Sequence, residues 1–426
     1  MPSLKSSLRG FWGHWITEKG CSMYMSFGLL SFALLCILLP MSETRLSLPL
    51  SIFVTLGCGS GFAWQIIKLR ADETLALIPG KKKLVLNQGI ALLTVTYSLF
   101  LIFAVALQRM DALFAAALGG VLSTWLILKV IKNTRYFKHV TSIYFLAAIG
   151  SIYYDKFDGN VTWLLLLAWL VMSLYSLTKL NNIAWSNTAI HCYKNGLNTG
   201  WSPLPTAFTL PKWAEFDKQL FPLSFFAGKT LYTFLGTVTL SSLAIPIIVY
   251  FLETPNLAIF IVLTISPIGI MFIRWSMLQN SRSIETLWVL PIFNNRQELH
   301  RAFVNRLLFV VTLATIIFWL SCLVAVAIQP NSPDAFTISQ ANLVAIAMFA
   351  GLISIFAISM YLSTDIKFTF AMMLLMNVYF IIIPMMISSK VPAYLLLFLN
   401  LCWAGLAILL SFKTIKRIDT VMQKRK

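Results

Sequence analysis

The sequence predicts an all-α polytopic membrane protein of about twelve transmembrane helices, arranged as two parallel six-helix repeats with both termini in the cytoplasm. Three observations lead to this fold class. The chain of 426 residues is 58% hydrophobic and 11% charged, with a mean hydropathy of +0.81, far outside the averages for soluble domains. Continuously apolar stretches recur along it, without the alternation expected of barrel strands. A seven-residue motif occurs twice, 212 positions apart.

A helix needs about 20 apolar residues to cross a hydrocarbon core of about 30 Å. Stretches of about this length lie at residues 22–40, 48–67, 88–107, 110–131, 138–154, 161–180, 230–252, 257–275, 306–328, 338–362, 367–387 and 391–412. The fifth is short, and its Tyr144, Tyr153 and Tyr154 suit a membrane interface as well as a span. We therefore predict twelve spans, with the fifth resting on the weakest pattern.

Basic residues orient the predicted bundle. With both termini inside, the outer loops hold only four of the 33 Lys and Arg residues, namely Arg45, Arg109, Lys156 and Lys390. The positive-inside rule then fixes the topology and indicates a bacterial inner membrane, that is, a plasma membrane. The net charge of +18 is concentrated in juxtamembrane clusters, which suit anionic membrane lipids better than nucleic acid.

The chain divides into two halves of six predicted spans each. Residues 1–182 form the first repeat and residues 212–426 the second, and each repeat opens with an amphipathic stretch that predicts a helix lying on the inner leaflet. Residues 183–211 are rich in Gly, Asn and Pro, and predict a cytoplasmic linker without a continuous helix. Because six is an even number, both halves have the same orientation in the membrane.

Small residues precede each copy of the motif at corresponding places within a span. They are Gly57, Gly59, Ser60 and Gly61 in the second span, and Ser266, Pro267 and Gly269 in the eighth. Small side chains let helix backbones approach closely. These positions therefore favour tight helix packing over a role in a substrate path.

The repeated motif reads ETLALIP at residues 73–79 and ETLWVLP at residues 285–291. Each copy follows an even-numbered span, so both copies are predicted to lie on the cytoplasmic side. An acid, several apolar residues and a final Pro predict a short projection from the membrane surface. Such a projection can enter a groove on a partner protein, although for a single copy an ordinary interfacial turn remains an alternative.

On these residues the chain resembles the type-2 ABC exporter permeases. Members of that family have six-helix units with an interfacial helix before the first span and a cytoplasmic coupling segment after the second. The resemblance implies that the nucleotide-binding subunits are contacted by Glu73, Thr74, Leu75, Pro79, Glu285, Thr286, Leu287 and Pro291. It implies a separate ABC ATPase, expected as a homodimer, which binds ATP and Mg while this chain binds no cofactor. Family members usually carry one six-helix unit per chain, whereas this chain fuses two.

The chain departs from the family in its outer loops and encodes no ATPase. Only residues 155–160 and 388–390 stand where the family has a polar extracellular region, which leaves the substrate open. The apolar spans suit a hydrophobic or amphipathic substrate, such as a lipid, peptide or drug-like compound. The phosphate-loop pattern is missing, since Gly80 and the three lysines after it lack the hydroxyl residue that would hold magnesium.

Three other functions stay open. All 15 acids fall in predicted loops or at span ends, which disfavours an ion-coupled secondary transporter, although backbone carbonyls can also bind sodium. An integral-membrane lipid-modifying enzyme needs clustered acid-base groups, and the nearest cluster, at residues 135–139, contains no carboxylate. A membrane scaffold or sensor is the third. The spacing of the Cys and His residues predicts neither a metal site nor catalytic residues.

Overall fold

The structure is a computed structural model that describes residues 10–38, 40, 44–73, 78, 80–152, 159–180, 183–199, 218–252, 293, 295–328, 337–361 and 393–414, with ten positions between 263 and 277. Within these ranges every regular element is helical. The chain folds as two compact units, and among the described residues the first ends at Leu197 and the second begins at Asn198.

The first unit begins with a π-helical turn at Trp12–Ile16. Its helices are α1 (Lys19–Leu38), α2 (Thr44–Ala71), α3 (Lys81–Ala106), α4 (Met110–Lys132), α5 (Val140–Ile152), α6 (Gly159–Leu180) and α7 (Asn187–Thr199). A 3₁₀ helix at Thr134–His139 joins α4 to α5. In the second unit the helices are α8 (Leu223–Ala227), α9 (Lys229–Leu252), α10 (Arg296–Ile328), α11 (Ile338–Tyr361) and α12 (Ala393–Thr414).

Nine helices in the described ranges are long and apolar enough to cross a membrane, namely α1, α2, α3, α4, α6, α9, α10, α11 and α12. This confirms an all-α multi-pass membrane protein. The predicted eighth span, at residues 257–275, lies mostly outside the described residues, and the eleventh, at 367–387, lies wholly outside them. Twelve spans in two repeats therefore stay a prediction.

The predicted fifth span differs from the helix that forms there. Helix α5 covers 13 residues, or about 20 Å at 1.5 Å per residue, which is shorter than the hydrocarbon core. The first residues assigned to that span, Lys138 and His139, instead end the 3₁₀ helix. Hydropathy alone did not show the boundary between the 3₁₀ helix and α5, so the predicted span included residues of both.

Helix α2 is the core of the first unit, because every residue from Leu50 to Ile67 is buried. It packs against α1 and α4. A Cβ added at Gly57 would lie 2.7 Å from the main-chain nitrogen of Gly28, and one added at Gly59 would lie 2.5 Å from Cβ of Ser123. The interpretation of these glycines as helix-packing positions is confirmed.

Helix α7 occupies part of the stretch in which no continuous helix was expected. Its buried positions, Ala189 and Gly196, lie seven residues apart with the half-buried Tyr193 between them, so one face packs on the unit. The polar side chains of His191 and Lys194 are exposed on the other face. Packing of this face outweighs the low helix propensity of Asn and Gly.

Candidate docking site at the end of helix α2

The first copy of the motif begins two residues after α2 ends at Ala71. Glu73 is exposed there, and Ile78, near the end of the motif, has 48% of its surface exposed. Gly80 precedes α3 with a φ of +80°, a conformation that glycine adopts without strain. The remaining predicted contact residues lie outside the described residues: Thr74, Leu75, Pro79, Glu285, Thr286, Leu287 and Pro291.

An ion pair joins two residues that flank the first motif, Asp72 before it and Lys81 after it. The Nζ of Lys81 lies 3.6 Å from Oδ2 of Asp72, with both side chains 28% exposed. The main-chain N–H of Asp72 donates to the oxygen of Lys68 at 3.0 Å, and that of Leu84 donates to the oxygen of Gly80 at 2.9 Å. A partly exposed ion pair contributes at most about 1 kcal/mol, so its main effect is to set where the loop starts and ends.

Arg70 connects the end of α2 to the end of α4. Its Nη1 donates to the main-chain oxygens of Val130 at 3.1 Å and Ile131 at 2.7 Å. These carbonyls belong to the last turn of α4, where no intrahelical donor remains for them. The Nε of Arg70 donates to the main-chain oxygen of Ala184 at 3.2 Å. One guanidinium therefore fixes α2, α4 and the segment that leads to α7.

That segment is held from both sides of the motif. The main-chain N–H of Ser186 donates to the oxygen of Arg70 at 3.0 Å. The Nζ of Lys82, in the first turn of α3, donates to the main-chain oxygen of Ile183. Residues 183–186 thus bridge the last turn of α2 and the first turn of α3, and we call them the base of the first motif.

Glu18 lies at the centre of a polar cluster next to this base. Its side chain is 4% exposed. Its Oε2 accepts from the N–H of Cys21 at 2.6 Å, which caps α1, and from Nε1 of Trp64 at 2.9 Å. The hydroxyl of Tyr193 donates to Oε1 at 2.9 Å, and Nζ of Lys68 lies 3.7 Å from the same oxygen. Burial, and then the charge of Glu18, raises the pKa of Tyr193, so this hydroxyl keeps the proton that it donates.

The π-helical turn is also attached to α2. The ring of Trp15 stacks on that of Phe62, with centroids 6.0 Å apart, and the side-chain amide of Gln65 donates to the main-chain oxygen of His14. Trp15 is fully buried, whereas Trp12 is 66% exposed. Burial lowers the pKa of His14, and the positive charges of two nearby lysines lower it further. The amphipathic segment before α1 therefore contacts the same end of α2 as the motif does.

A related contact occurs in the second unit. Oγ of Ser276 donates to the main-chain oxygen of Ala227 at 3.0 Å, and Ala227 ends the short helix before α9. Ser276 stands 212 residues after Trp64, which is the offset between the two motifs. In each unit, this position bonds to the segment just before the first long helix.

Glu18, Arg70 and Tyr193 were not predicted as residues of the site. For Arg70 a signal exists, since Arg70 and Arg282 each stand three residues before the Glu of their motif, so the repeated pattern is longer than seven residues. For Glu18 the signal is weak, because an acid before an apolar span is common. Its partner Tyr193 is 175 residues away in the sequence.

The described acids all lie at helix ends, namely Glu18, Asp72, Glu73, Asp111 and Glu298. Among the described residues, no group of three His, Cys, Asp or Glu side chains could hold a metal ion. The site exposes an acid and an apolar side chain, Glu73 and Ile78, and its flanking residues are attached to the base by the side chains of Arg70 and Lys82 and by one main-chain hydrogen bond. Comparison with protein-family models, curated proteins and solved structures found no match for this chain.

Proposed function

We propose that this chain is the transmembrane permease subunit of an ATP-driven ABC transporter, an exporter of a hydrophobic or amphipathic substrate. Its two cytoplasmic coupling segments, residues 73–79 and 285–291, engage separate ATPase subunits that bind ATP and Mg. The observation that carries the proposal is the base of the first motif, where Arg70 and Lys82 attach both ends of the segment to residues 183–186. A loop that only turned the chain would not need this attachment.

The base connects the segment to the core of the unit. Helix α2 ends just before Glu73, and its buried residues pack against α1 and α4 through Gly57 and Gly59. Packed interiors resist compression, so a displacement of the segment moves α2 and its neighbours together. Force from an ATPase at Glu73 would therefore reach the membrane core of the unit.

Duplication favours the same function for the second segment. Arg282 repeats Arg70, and Ser276, at the offset of Trp64, bonds to the segment before α9. A long helix follows each motif closely. Helix α10 begins five residues after Pro291, and α3 begins two residues after Pro79. Helix α10 has 33 residues and a length of about 50 Å, so roughly 20 Å of it extends beyond the hydrocarbon core.

Affinity purification in mild detergent tests the proposal. We expect a soluble ATPase with a phosphate-loop motif to co-purify with the chain. The double substitution Glu73→Ala and Glu285→Ala should lower its recovery by about tenfold, because interface residues whose loss costs more than 1 kcal/mol dominate binding. Asp158→Ala, which removes an acid on the predicted outer side, is the control and should leave recovery unchanged. Undiminished recovery with the double variant would contradict the assigned contact.

Transport in inverted membrane vesicles separates this function from an ion-coupled carrier. Uptake of a hydrophobic dye should require ATP on the outside of the vesicle, which corresponds to the cytoplasmic side. Dissipation of the proton and sodium gradients with ionophores should leave it unchanged. Transport that follows an imposed gradient without ATP would favour the carrier instead.

A further inference from the structure

The junction between α4 and the 3₁₀ helix carries a basic cluster that the coupling function does not use. The Nζ of Lys129 lies 5.5 Å from the ring centroid of Trp125 and 5.5 Å from that of Tyr136. Lys129 is therefore held between two aromatic rings, each of which attracts its charge. Both rings are 38% exposed, so the arrangement lies on the surface of the unit.

Further cations surround this lysine. Lys132, Arg135 and Lys138 are all exposed, and together with Lys129 they define the basic rim. The ring of His139 lies 6.4 Å from that of Tyr136. No Asp or Glu occurs in the sequence between Asp111 and Asp155, so no acid within this stretch neutralises the rim. An anion approaching it meets a cluster of positive charges.

The depth of the rim matches a membrane surface. Helices α4 and α6 touch at Gly120, where an added Cβ would lie 2.3 Å from the ring of Trp169. Lys129 of α4 and Lys179 of α6 lie nine and ten residues further along, which is about 15 Å, or half of the hydrocarbon core. If Gly120 is near the middle of the bilayer, both lysines reach the level of the lipid headgroups.

An apolar surface leads up to this level. Helix α6 exposes Leu164, Leu167, Val171 and Leu174, which recur at helical spacing on one face. The face ends at Tyr175, over whose ring Nζ of Lys179 lies at 5.2 Å. Acyl chains can cover such a face, while an aromatic ring and a cation at its end suit the glycerol and phosphate region.

We propose that the basic rim binds the headgroup of an anionic phospholipid from the inner leaflet. The phosphate lies against Lys129, Lys132, Arg135 and Lys138, and the acyl chains lie along the exposed apolar face of α6. A bilayer lipid is favoured over free phosphate because this apolar face, which ends at Tyr175 and Lys179, leads up to the same depth as the cations of the rim. It is favoured over an acidic protein because Trp125, five residues beyond Gly120 and so about 7.5 Å from the middle of the bilayer, lies below the headgroups, where acyl chains can reach it.

Native mass spectrometry of the purified chain tests the site. The chain is titrated with phosphatidylglycerol, phosphatidylcholine or glycerol phosphate. We expect selective binding of phosphatidylglycerol, and a loss of about fivefold in its affinity for each charge removed by Arg135→Gln or Lys138→Gln, since each basic residue near an anionic surface contributes about that factor. Lys138→Arg keeps the charge and should keep the affinity. Lys413→Gln, at the exposed end of α12, is the control.

Other outcomes would overturn the proposal. Equal binding of phosphatidylcholine and phosphatidylglycerol would show that the rim does not select lipids by headgroup charge. Equal competition by glycerol phosphate would show a site for a soluble anion. If Arg135→Gln and Lys138→Gln left lipid binding unchanged but lowered ATPase recovery, the rim would belong to a protein interface. Because the lipid titrations use the chain without its partner, their result does not depend on the proposed transport function.

Discussion

The carboxylate of Glu18 connects three helices of the first unit. It accepts from Cys21 in α1, Trp64 in α2 and Tyr193 in α7, and lies near Lys68. A buried charge is tolerated when hydrogen bonds and an opposite charge compensate it. Glu18 meets these conditions, and we interpret it as a residue that positions α7 and α1 against the end of α2.

Replacement of Glu18 tests this role. In Glu18→Ala the indole N–H of Trp64 loses its acceptor, and an unsatisfied buried donor costs about 1–3 kcal/mol. We expect the midpoint of thermal unfolding in detergent to fall by about 3–10 °C. Tyr193→Phe removes one hydrogen bond and should have a smaller effect. A midpoint for Glu18→Ala equal to that of the wild type would show that the cluster contributes nothing to stability.

The titration of His14 should make the free energy of unfolding of the first unit depend on pH. Burial, with the charges of Lys68 and Lys81, lowers its pKa from 6.5, so the unfolded chain binds the proton more tightly than the folded one. The free energy of unfolding should therefore fall as the pH drops through 6.5, and it should recover as the pH rises. Thermal midpoints measured from pH 7.5 to 5.5 should show a shallower decline for His14→Gln.

Residue-scale contacts were the least predictable part of the site. Glu73 was predicted as a contact residue because it belongs to a repeat, and the packing role of Gly57, which the structure confirms, was predicted from a pattern of small residues. Glu18 stands just outside the apolar run that begins at residue 22, and its partners come from positions 46 and 175 residues away. No local pattern contains that information, because it depends on how helices pack.

At the scale of elements, the contact between α1 and α2 depends on glycine. In Gly57→Ala the new Cβ would lie 2.7 Å from the backbone nitrogen of Gly28, and a backbone cannot move aside as a flexible side chain can. We expect overpacking to cost about 1–3 kcal/mol and to lower the thermal midpoint. Gly405→Ala in α12 is the matched control, since nothing lies within 4 Å of its added Cβ.

The control should change stability in the opposite direction or leave it unchanged. Alanine favours a helix over glycine by up to about 1 kcal/mol, which Gly405→Ala can gain without a clash. Equal effects of the two substitutions would mean that helix propensity, and not close packing, governs Gly57.

The sequence predicted the existence of most long helices better than their ends. Helix α3 begins at Lys81 and α10 at Arg296, although the predicted spans began at residues 88 and 306. The difference arises because Lys, Arg, Glu and Gln form helices well but have low hydropathy. Helix α7 was missed for the related reason that its apolar face is short, and its stability comes from packing, as where the ring of Tyr193 lies 5.2 Å from that of Trp64 in α2.

At the scale of the whole molecule, the proposal requires both coupling segments on the same side of the membrane. In a cysteine-free background, Glu73→Cys and Glu285→Cys should react with a membrane-impermeant maleimide only when the cytoplasmic face is accessible. Asn160→Cys, at the start of α6, should react only from the other side. Labelling is compared in intact cells and in inverted vesicles. Reaction of Glu73→Cys and Glu285→Cys from opposite sides would rule out two parallel repeats.

The hydrogen bond between Tyr193 and Glu18 also determines when the first unit can finish folding during translation. The two residues are 175 positions apart. A ribosome adds about 5–20 residues per second, so Tyr193 is made roughly 10–35 s after Glu18. During that interval the nascent chain can pair α1 with α2, but the acid still lacks one of its donors. The first half therefore completes its fold only after α7, which carries Tyr193, has left the ribosome, while the second half is being translated.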